Sequence, residues 1–281
     1  MMMSNLLIAN LLLLAFVGVA AAKEIKVNLG GGIALEMVLI PAGTFTMGAA
    51  RGDRDEYPQH QVRITKPFYM SKYEVTQEQW VAVMGGKAPG KVQNPKNPVE
   101  SVDRKQVGEF LKKLNEKLGG KAFIGKHPLD LKDLPRILGT YYLPSEAEWE
   151  YACRAGSRTR YCFGDDEKRL GEYAWIYANS KGSAQPVGKK KPNAWGLYDM
   201  HGNVWEICRD EYYADYYAAS PKDDPQGPSA THRHVTVTRG GGWSYSAKSS
   251  RSAERGYLNM GHHRERSDAL GFRIARTIEA K

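Results

Sequence analysis

The sequence predicts a mixed α+β fold rich in irregular coil, and three observations lead there. Residues 25–48 and 60–73 carry strand-like runs broken by Pro and Gly. Three segments open with a polar cap followed three residues later by Gln or Glu, at Thr76, Asp103 and Ser145. Beyond Gly156 periodic signals fade, apart from Val235-Thr236-Val237-Thr238, and glycines, aromatics and arginines are spread through the remainder.

Taken in order, Met37 to Ile40 is apolar, Pro41-Ala42-Gly43 reads as a turn, and Thr44 to Met47 alternates polar with apolar. Residues 51–59 are polar and read as a loop, and residues 60–73 read as strand interrupted at Pro67. A first helix starts at Thr76, where Gln79 can reach back, and stops at Gly85-Gly86. The second helix has Asp103 as cap, with Val107, Phe110, Leu111, Leu114 and Leu118 on one face. Lys112, Lys113 and Lys117 face water, and Gly119-Gly120 ends it. Residues 121–140 carry no motif. A third helix starts at Ser145, with Glu148 completing its capping box, and ends near Gly156.

Residues 6–19 are almost continuously apolar and lead into Val19-Ala20-Ala21-Ala22 before Lys23-Glu24. That run is short for a membrane span, and small residues sit where a signal peptidase cuts. The expectation is a signal peptide over 1–22 and one domain over 23–281, exported to the periplasm or outside the cell. An uncleaved N-terminal membrane anchor is the alternative. The formal charge of +9 falls entirely after residue 22. The basic residues are scattered, with Lys189-Lys190-Lys191 the densest run, so nucleic acid is not the expected partner. Attraction to acidic polysaccharide remains a reading of the charge. Cys153, Cys162 and Cys208 leave at least one thiol unpaired. Cys153 and Cys162 could close a small loop, or all three could be buried free thiols.

The most informative stretch is residues 193–206, Asn-Ala-Trp-Gly-Leu-Tyr-Asp-Met-His-Gly-Asn-Val-Trp-Glu. It is too apolar for a solvated loop and too glycine-rich for a regular element. It reads as a buried loop whose backbone needs partners. A hard cation meets several carbonyls at once, with Asp199 and Glu206 adding charge.

The segment Gly-Leu-Tyr-Asp-Met-His-Gly-Asn-Val-Trp-Glu resembles the signature of the formylglycine-generating enzyme family, the sulfatase-modifying factors. Other landmarks stand in order: residues 37–48, Tyr73-Glu74-Val75-Thr76, residues 143–152, Arg239-Gly240-Gly241-Gly242-Trp243 and Gly271-Phe272-Arg273. The likeness runs from about Glu36 to Arg276. It implies a loop-rich α+β fold, that of the formylglycine-generating enzymes and related to C-type lectin-like folds.

The resemblance implies a calcium site built from Asp199, Gly202, Val204 and Glu206, with an Asp where the family has Asn. A second family calcium site begins at Asn179 and Ser180, but its acidic loop is shortened to Lys181-Gly182-Ser183. The family oxidises a protein cysteine to formylglycine with oxygen and holds Cu(I) between two cysteines. Those positions fall at Tyr245 and Ser250, neither a soft ligand, and no cysteine follows Cys208. The polar residue that follows the glycines in the family is Gly242 here. Copper is therefore not expected, and no catalytic residue is assigned. Relatives that use non-haem iron draw on an additional N-terminal domain, which this chain has no room for. His201, the His232/His234 pair and the His262/His263 pair are set aside as loop histidines rather than ligands.

The resemblance places Arg239, Trp243, Tyr245 and Arg251 in the substrate groove. Trp243 and Tyr245 could stack on a ligand while Arg251 grips an anion, or Trp243 could pack inside. Arg255 belongs to the same set, and Arg273 is read as a brace. Three functions compete: an exported, calcium-stabilised binding or accessory module for a peptide, protein or glycan; an oxidoreductase acting on a sulfatase cysteine; and an acidic-polysaccharide binder.

Overall fold

The computed structural model describes residues 23–119, 139–228, 235–259 and 268–278. The apolar N-terminal run, most of the 121–140 segment and His232, His234, His262 and His263 lie outside them. Among the described residues no helix is long and apolar enough to cross a membrane.

The chain begins with strands β1 (Glu24–Gly30) and β2 (Ile33–Ile40), paired antiparallel. Their turn runs through Gly30, Gly31 and Gly32, all at positive φ (89°, 60° and 77°), where any side chain would be strained. β3 (Gly43–Met47) and β4 (His60–Ile64) form a separate two-stranded ribbon, and β5 (Phe68–Ser71) follows Pro67. Helices α1 (Gln77–Met84) and α2 (Arg104–Lys117) come next. Then come β6 (Tyr141–Tyr142), α3 (Glu146–Arg154) and the single turn α4 (Leu170–Tyr173). The remainder supplies β7 (Trp205–Glu211), β8 (Val235–Arg239), β9 (Gly256–Asn259), β10 (Leu270–Gly271) and β11 (Ala275–Thr277).

Two larger sheets result. One has the order β1-β2-β5-β11-β6, so the last described strand closes beside the first ones. The other has the order β10-β7-β8-β9, with β10 parallel to β7. The capping boxes expected at Thr76, Asp103 and Ser145 all form, each with both reciprocal hydrogen bonds. The apolar face of α2 buries Val107, Phe110, Leu111 and Leu114 as its spacing requires, while Leu118 is only partly buried. The Trp80 ring stacks on Phe110 at 5.3 Å, and Phe272 meets Phe110 edge-on at 5.3 Å. The C-terminal Gly-Phe-Arg thus locks the two helices to the sheet.

Strand β7 is not legible as a period-two pattern. It lies between β10 and β8 and its first six residues are buried. A strand covered on both faces has no reason to alternate, and here the buried side chains include Glu206, Arg209 and Asp210.

Candidate functional site

Loop 193–206 is buried, and protein groups satisfy much of its backbone. Asn193 Oδ1 accepts from the amides of Trp195 and Leu197, at 3.0 and 3.1 Å, and its amide group donates to the carbonyls of Ala152 and Cys153 at the end of α3. Glu74 accepts from the Val204 amide at 3.2 Å and from Asn203 Nδ2 at 3.0 Å. Asn203 Oδ1 accepts from the Gln185 amide at 2.9 Å. A Cβ on Gly202 would lie 2.4 Å from the Trp175 carbonyl oxygen, so only glycine lets these backbones touch. Partners supplied by distant side chains therefore do much of the work that composition alone assigns to a cation.

The charges of this loop are unbalanced. Glu74, Asp199 and Glu206 are each 1 % exposed and share the buried guanidinium of Arg273. Glu206 takes that cation directly: Arg273 Nε donates to Oε2 and Nη2 to Oε1, each at 2.6 Å, and Trp149 Nε1 donates to Oε2 at 2.6 Å. Arg273 Nη2 also donates to the Tyr198 carbonyl at 3.0 Å. Asp199 Oδ2 accepts from the Gly188 amide at 2.7 Å, whereas Oδ1 is buried with no hydrogen-bond partner. Burial pushes the Asp199 carboxyl up to about 6, and burial with its acidic neighbours raises Glu74 well above the usual carboxylate range. An orphaned carboxylate oxygen beside surplus negative charge fits a hard cation at Asp199. Glu206 fits less well, since both its oxygens already face Arg273.

The copper positions do not fit the metal. Tyr245 is 38 % exposed and its ring packs edge-on to Trp205 at 5.5 Å. Ser250 is fully buried, and its carbonyl accepts from His201 Nδ1 at 2.8 Å. A Cβ at Gly242 would meet Ala269, Trp205 and Tyr245 at 3.1 to 3.4 Å, so the rings of Trp205 and Tyr245 close over the place where a side chain would stand. The three cysteines are free thiols and lie elsewhere: Cys153 and Cys208 are buried, and Cys162 is half-buried. No Cys153–Cys162 bridge closes the small loop. Burial pushes the Cys153 thiol up to about 12 and also raises Cys162 and Cys208, so none is poised as a thiolate. His201 is no ligand either. Its Nε2 accepts from the Cys162 amide at 3.0 Å, and burial lowers its pKa to about 4, which keeps the ring neutral.

Of the groove residues, Arg239 and Arg251 are not exposed grips. Arg239 is wholly buried and donates to Glu150 at 2.5 Å and to the carbonyls of Ser252, Ala253 and Glu254. Arg251 binds both oxygens of Glu56, at 2.6 and 2.8 Å, and also contacts Asp53 and Glu254. These acids lie close enough together to suggest a metal cluster, but the Arg251 guanidinium fills it. Arg255 is a further brace, bidentate on Glu146 at 2.7 and 2.9 Å. Trp243 is half-buried: its indole nitrogen donates to Glu100 and the Asp268 carbonyl, and Lys91 lies 5.8 Å above its ring. What remains open to solvent is aromatic. Tyr177, 77 % exposed, donates its amide to the Tyr245 carbonyl at 2.9 Å and so stands beside Tyr245. Tyr177 had no motif to mark it in the sequence.

Comparison with known proteins agrees with this geometry. The model of the sulfatase-modifying factor enzyme 1-like domain matches residues 32–278. The chain is 31% identical over 270 residues to serine/threonine-protein kinase pkn1 of Chlamydia pneumoniae, covering 88% of this chain and 38% of the kinase. It spans little more than a third of that relative's length. It is 30% identical to the formylglycine-generating enzyme of Streptomyces coelicolor, covering 80% of this chain and 87% of that one. Among solved structures it superimposes on Treponema denticola variable protein 1 with a TM-score of 0.77 at 30% identity, over 90% of this chain and 98% of the other.

Proposed function

Because the chain belongs to the sulfatase-modifying factor enzyme 1-like family, we propose that it is a binding or accessory member of that family, exported and without copper oxidase chemistry. The observation that carries this reading is Tyr245. Where the family's oxidases place a copper thiolate, this chain has a phenol ring, partly exposed and packed on Trp205. Cu(I) is held by soft thiolates, and neither Tyr245 nor Ser250 offers one. Tyr177 and Tyr245 are both exposed and their backbones are joined by a hydrogen bond, and each ring is of the kind that binding sites favour, apolar in body and polar at the tip. The ligand class that suits it is a peptide, protein segment or glycan that stacks on aromatic rings.

In this reading Asp199, with the carbonyls of Gly202 and Val204 and beside Glu206, holds calcium. The surplus of buried carboxylates over guanidinium around Asp199 supports it. A bound calcium would supply the missing positive charge and stiffen the loop that carries Trp205.

The test is a Cu(I) competition titration of the full chain against a chromophoric chelator. The expected outcome is no stoichiometric Cu(I) retained by the wild type. One equivalent held at thiolate strength would contradict the reading and restore the oxidase alternative. A chelator such as EDTA should lower the thermal midpoint, and added Ca2+ should restore it; no change on either addition would remove calcium from the account.

A further inference from the structure

The structure holds a half-enclosed cavity of about 940 Å3 whose lining includes neither Tyr177 nor Tyr245. It is built where the end of β3 and the loop 48–53 meet the end of α3, the loop 158–165 and the turn at 248–251. We propose that this cavity binds a ligand carrying two or more phosphoryl or sulfuryl groups. The proposal stands whether or not the aromatic face binds anything.

The floor is basic but saturated. Arg154, buried, donates to Glu150 at 2.8 Å and to the carbonyls of Thr159 and Gly48. Arg251 is held by Glu56, Glu254 and Asp53. The acids of the lining are also engaged. Asp53 accepts from Lys248 at 2.9 Å and from Arg251 at 3.3 Å, and Asp165 accepts from the Arg160 amide at 2.8 Å.

The walls differ. Arg51, Arg158 and Arg160 are exposed, and among the described residues none of the three has a carboxylate partner. They come from two separate loops that line the same cavity, and the Arg160 guanidinium lies over the Tyr161 ring at 6.0 Å. The basic side chains of the lining outnumber its two carboxylates, Asp53 and Asp165, and a multivalent anion relieves the remaining repulsion. A guanidinium presents paired donors matched to the oxygens of a phosphoryl or sulfuryl group. The cavity is too large for one such group alone. Among the described residues no aromatic side chain lines it, so these provide neither base stacking nor sugar stacking.

The floor explains why the cavity holds its shape. A Cβ at Gly52 would stand 2.0 Å from the Glu56 carboxylate, and one at Gly48 would stand 2.4 Å from the Glu56 carbonyl. Loop 48–53 is therefore wrapped directly on Glu56, which Arg251 fixes from the other side. The site is preformed rather than assembled by the ligand.

The test is isothermal titration of the full chain at low salt with two probes, inorganic tripolyphosphate and a heparin-derived disaccharide. Three proteins are compared: wild type, Arg51→Gln/Arg158→Gln/Arg160→Gln, and the charge-matched control Lys112→Gln/Lys181→Gln/Lys189→Gln. The expected result is one-to-one binding of at least one probe, weakened 100-fold or more in the arginine variant and less than threefold in the lysine control. Tighter binding of the phosphate or the sulfated probe then identifies the source of the anion. Equal losses in both variants would show a diffuse charge effect and overturn the proposal. So would failure of the wild type to bind either probe. None of the three arginines braces the fold, so thermal midpoints of all three proteins should coincide and confirm that any loss is one of binding.

Discussion

Helices α2 and α3 both begin with a capping box, yet they are held in opposite ways. α2 buries an apolar stripe and turns its lysines to water. α3 has all nine residues buried, among them Glu146, Glu148 and Glu150. Its acids are answered by arginines far along the chain: Arg255 on Glu146, Arg239 on Glu150, and Arg209 at 3.8 Å from Glu148. The same division runs through the molecule. Residues 23–119 are ordered chiefly by sheet pairing and apolar packing. The loops after Gly156 are ordered by buried guanidinium–carboxylate pairs, of which Arg273–Glu206 is the one at the proposed calcium loop. Charge pairs of this kind hold irregular backbone without needing a periodic hydrophobic face. They are costly to break, because the surviving partner is left buried and uncompensated.

The largest expected effect comes from breaking α3's tie. Arg239→Leu leaves Glu150 with Arg154 as its one guanidinium partner and strands three carbonyls, and should destabilise the protein by about 3 kcal/mol in urea unfolding. A loss below about 1 kcal/mol would mean that the pairs are ornament and that packing holds both regions alike.

A second effect separates the regions by pH. Asp210, on β7, accepts from the Glu146 amide at the start of α3, at 2.9 Å, and burial pushes its carboxyl up to about 7. The unfolded carboxyl ionises near 3.9. Between those values the native state holds a proton on Asp210 that the unfolded state has lost, so the contribution of Asp210 to stability falls as pH rises from about 4 to about 7. Asp210→Asn does not carry this penalty. It should be neutral at pH 4 and stabilising at pH 8 by about 2 kcal/mol, against a ceiling of about 4. A variant less stable than wild type at pH 8 would show that the ionised hydrogen bond to α3 outweighs burial.

The smallest effect belongs to α2. Asp103→Ala removes its cap and should cost about 1 kcal/mol. Lys112→Gln, on the wet face, should leave the unfolding midpoint where it is. If Asp103→Ala cost as much as Arg239→Leu, the contrast between the two helices would fail.

These differences also explain what could be read from the chain. The strand character of residues 25–48, the turn at Pro41-Ala42-Gly43, the break at Pro67 and all three helix starts were legible, because turns, caps and apolar spacing are local signals, whereas the pairing of β1 with β2 was not read. β7 was not, because a strand buried on both faces shows no alternation. At the central loop, Asp199 and Glu206 were legible from their motif, but the partner that engages Glu206 is Arg273, 67 residues away. Arg239 and Arg251 read as groove residues because the family resemblance places that region in a substrate groove. Only the fold shows their carboxylates, Glu150 and Glu56. The Arg51–Arg158–Arg160 cavity was invisible for the same reason: its members come from segments that meet only in three dimensions.

The proposed function turns on whether copper chemistry is absent at Tyr245 and Ser250. The direct measurement is to load the full chain with Cu(I), incubate it under oxygen with a peptide containing Cys-x-Pro-x-Arg, and look for the aldehyde by mass spectrometry. The expected result is no product above a protein-free control, from a folded protein whose thermal midpoint still responds to Ca2+. Aldehyde formed with repeated turnover would contradict the account and require ligands other than the two positions that Tyr245 and Ser250 now fill.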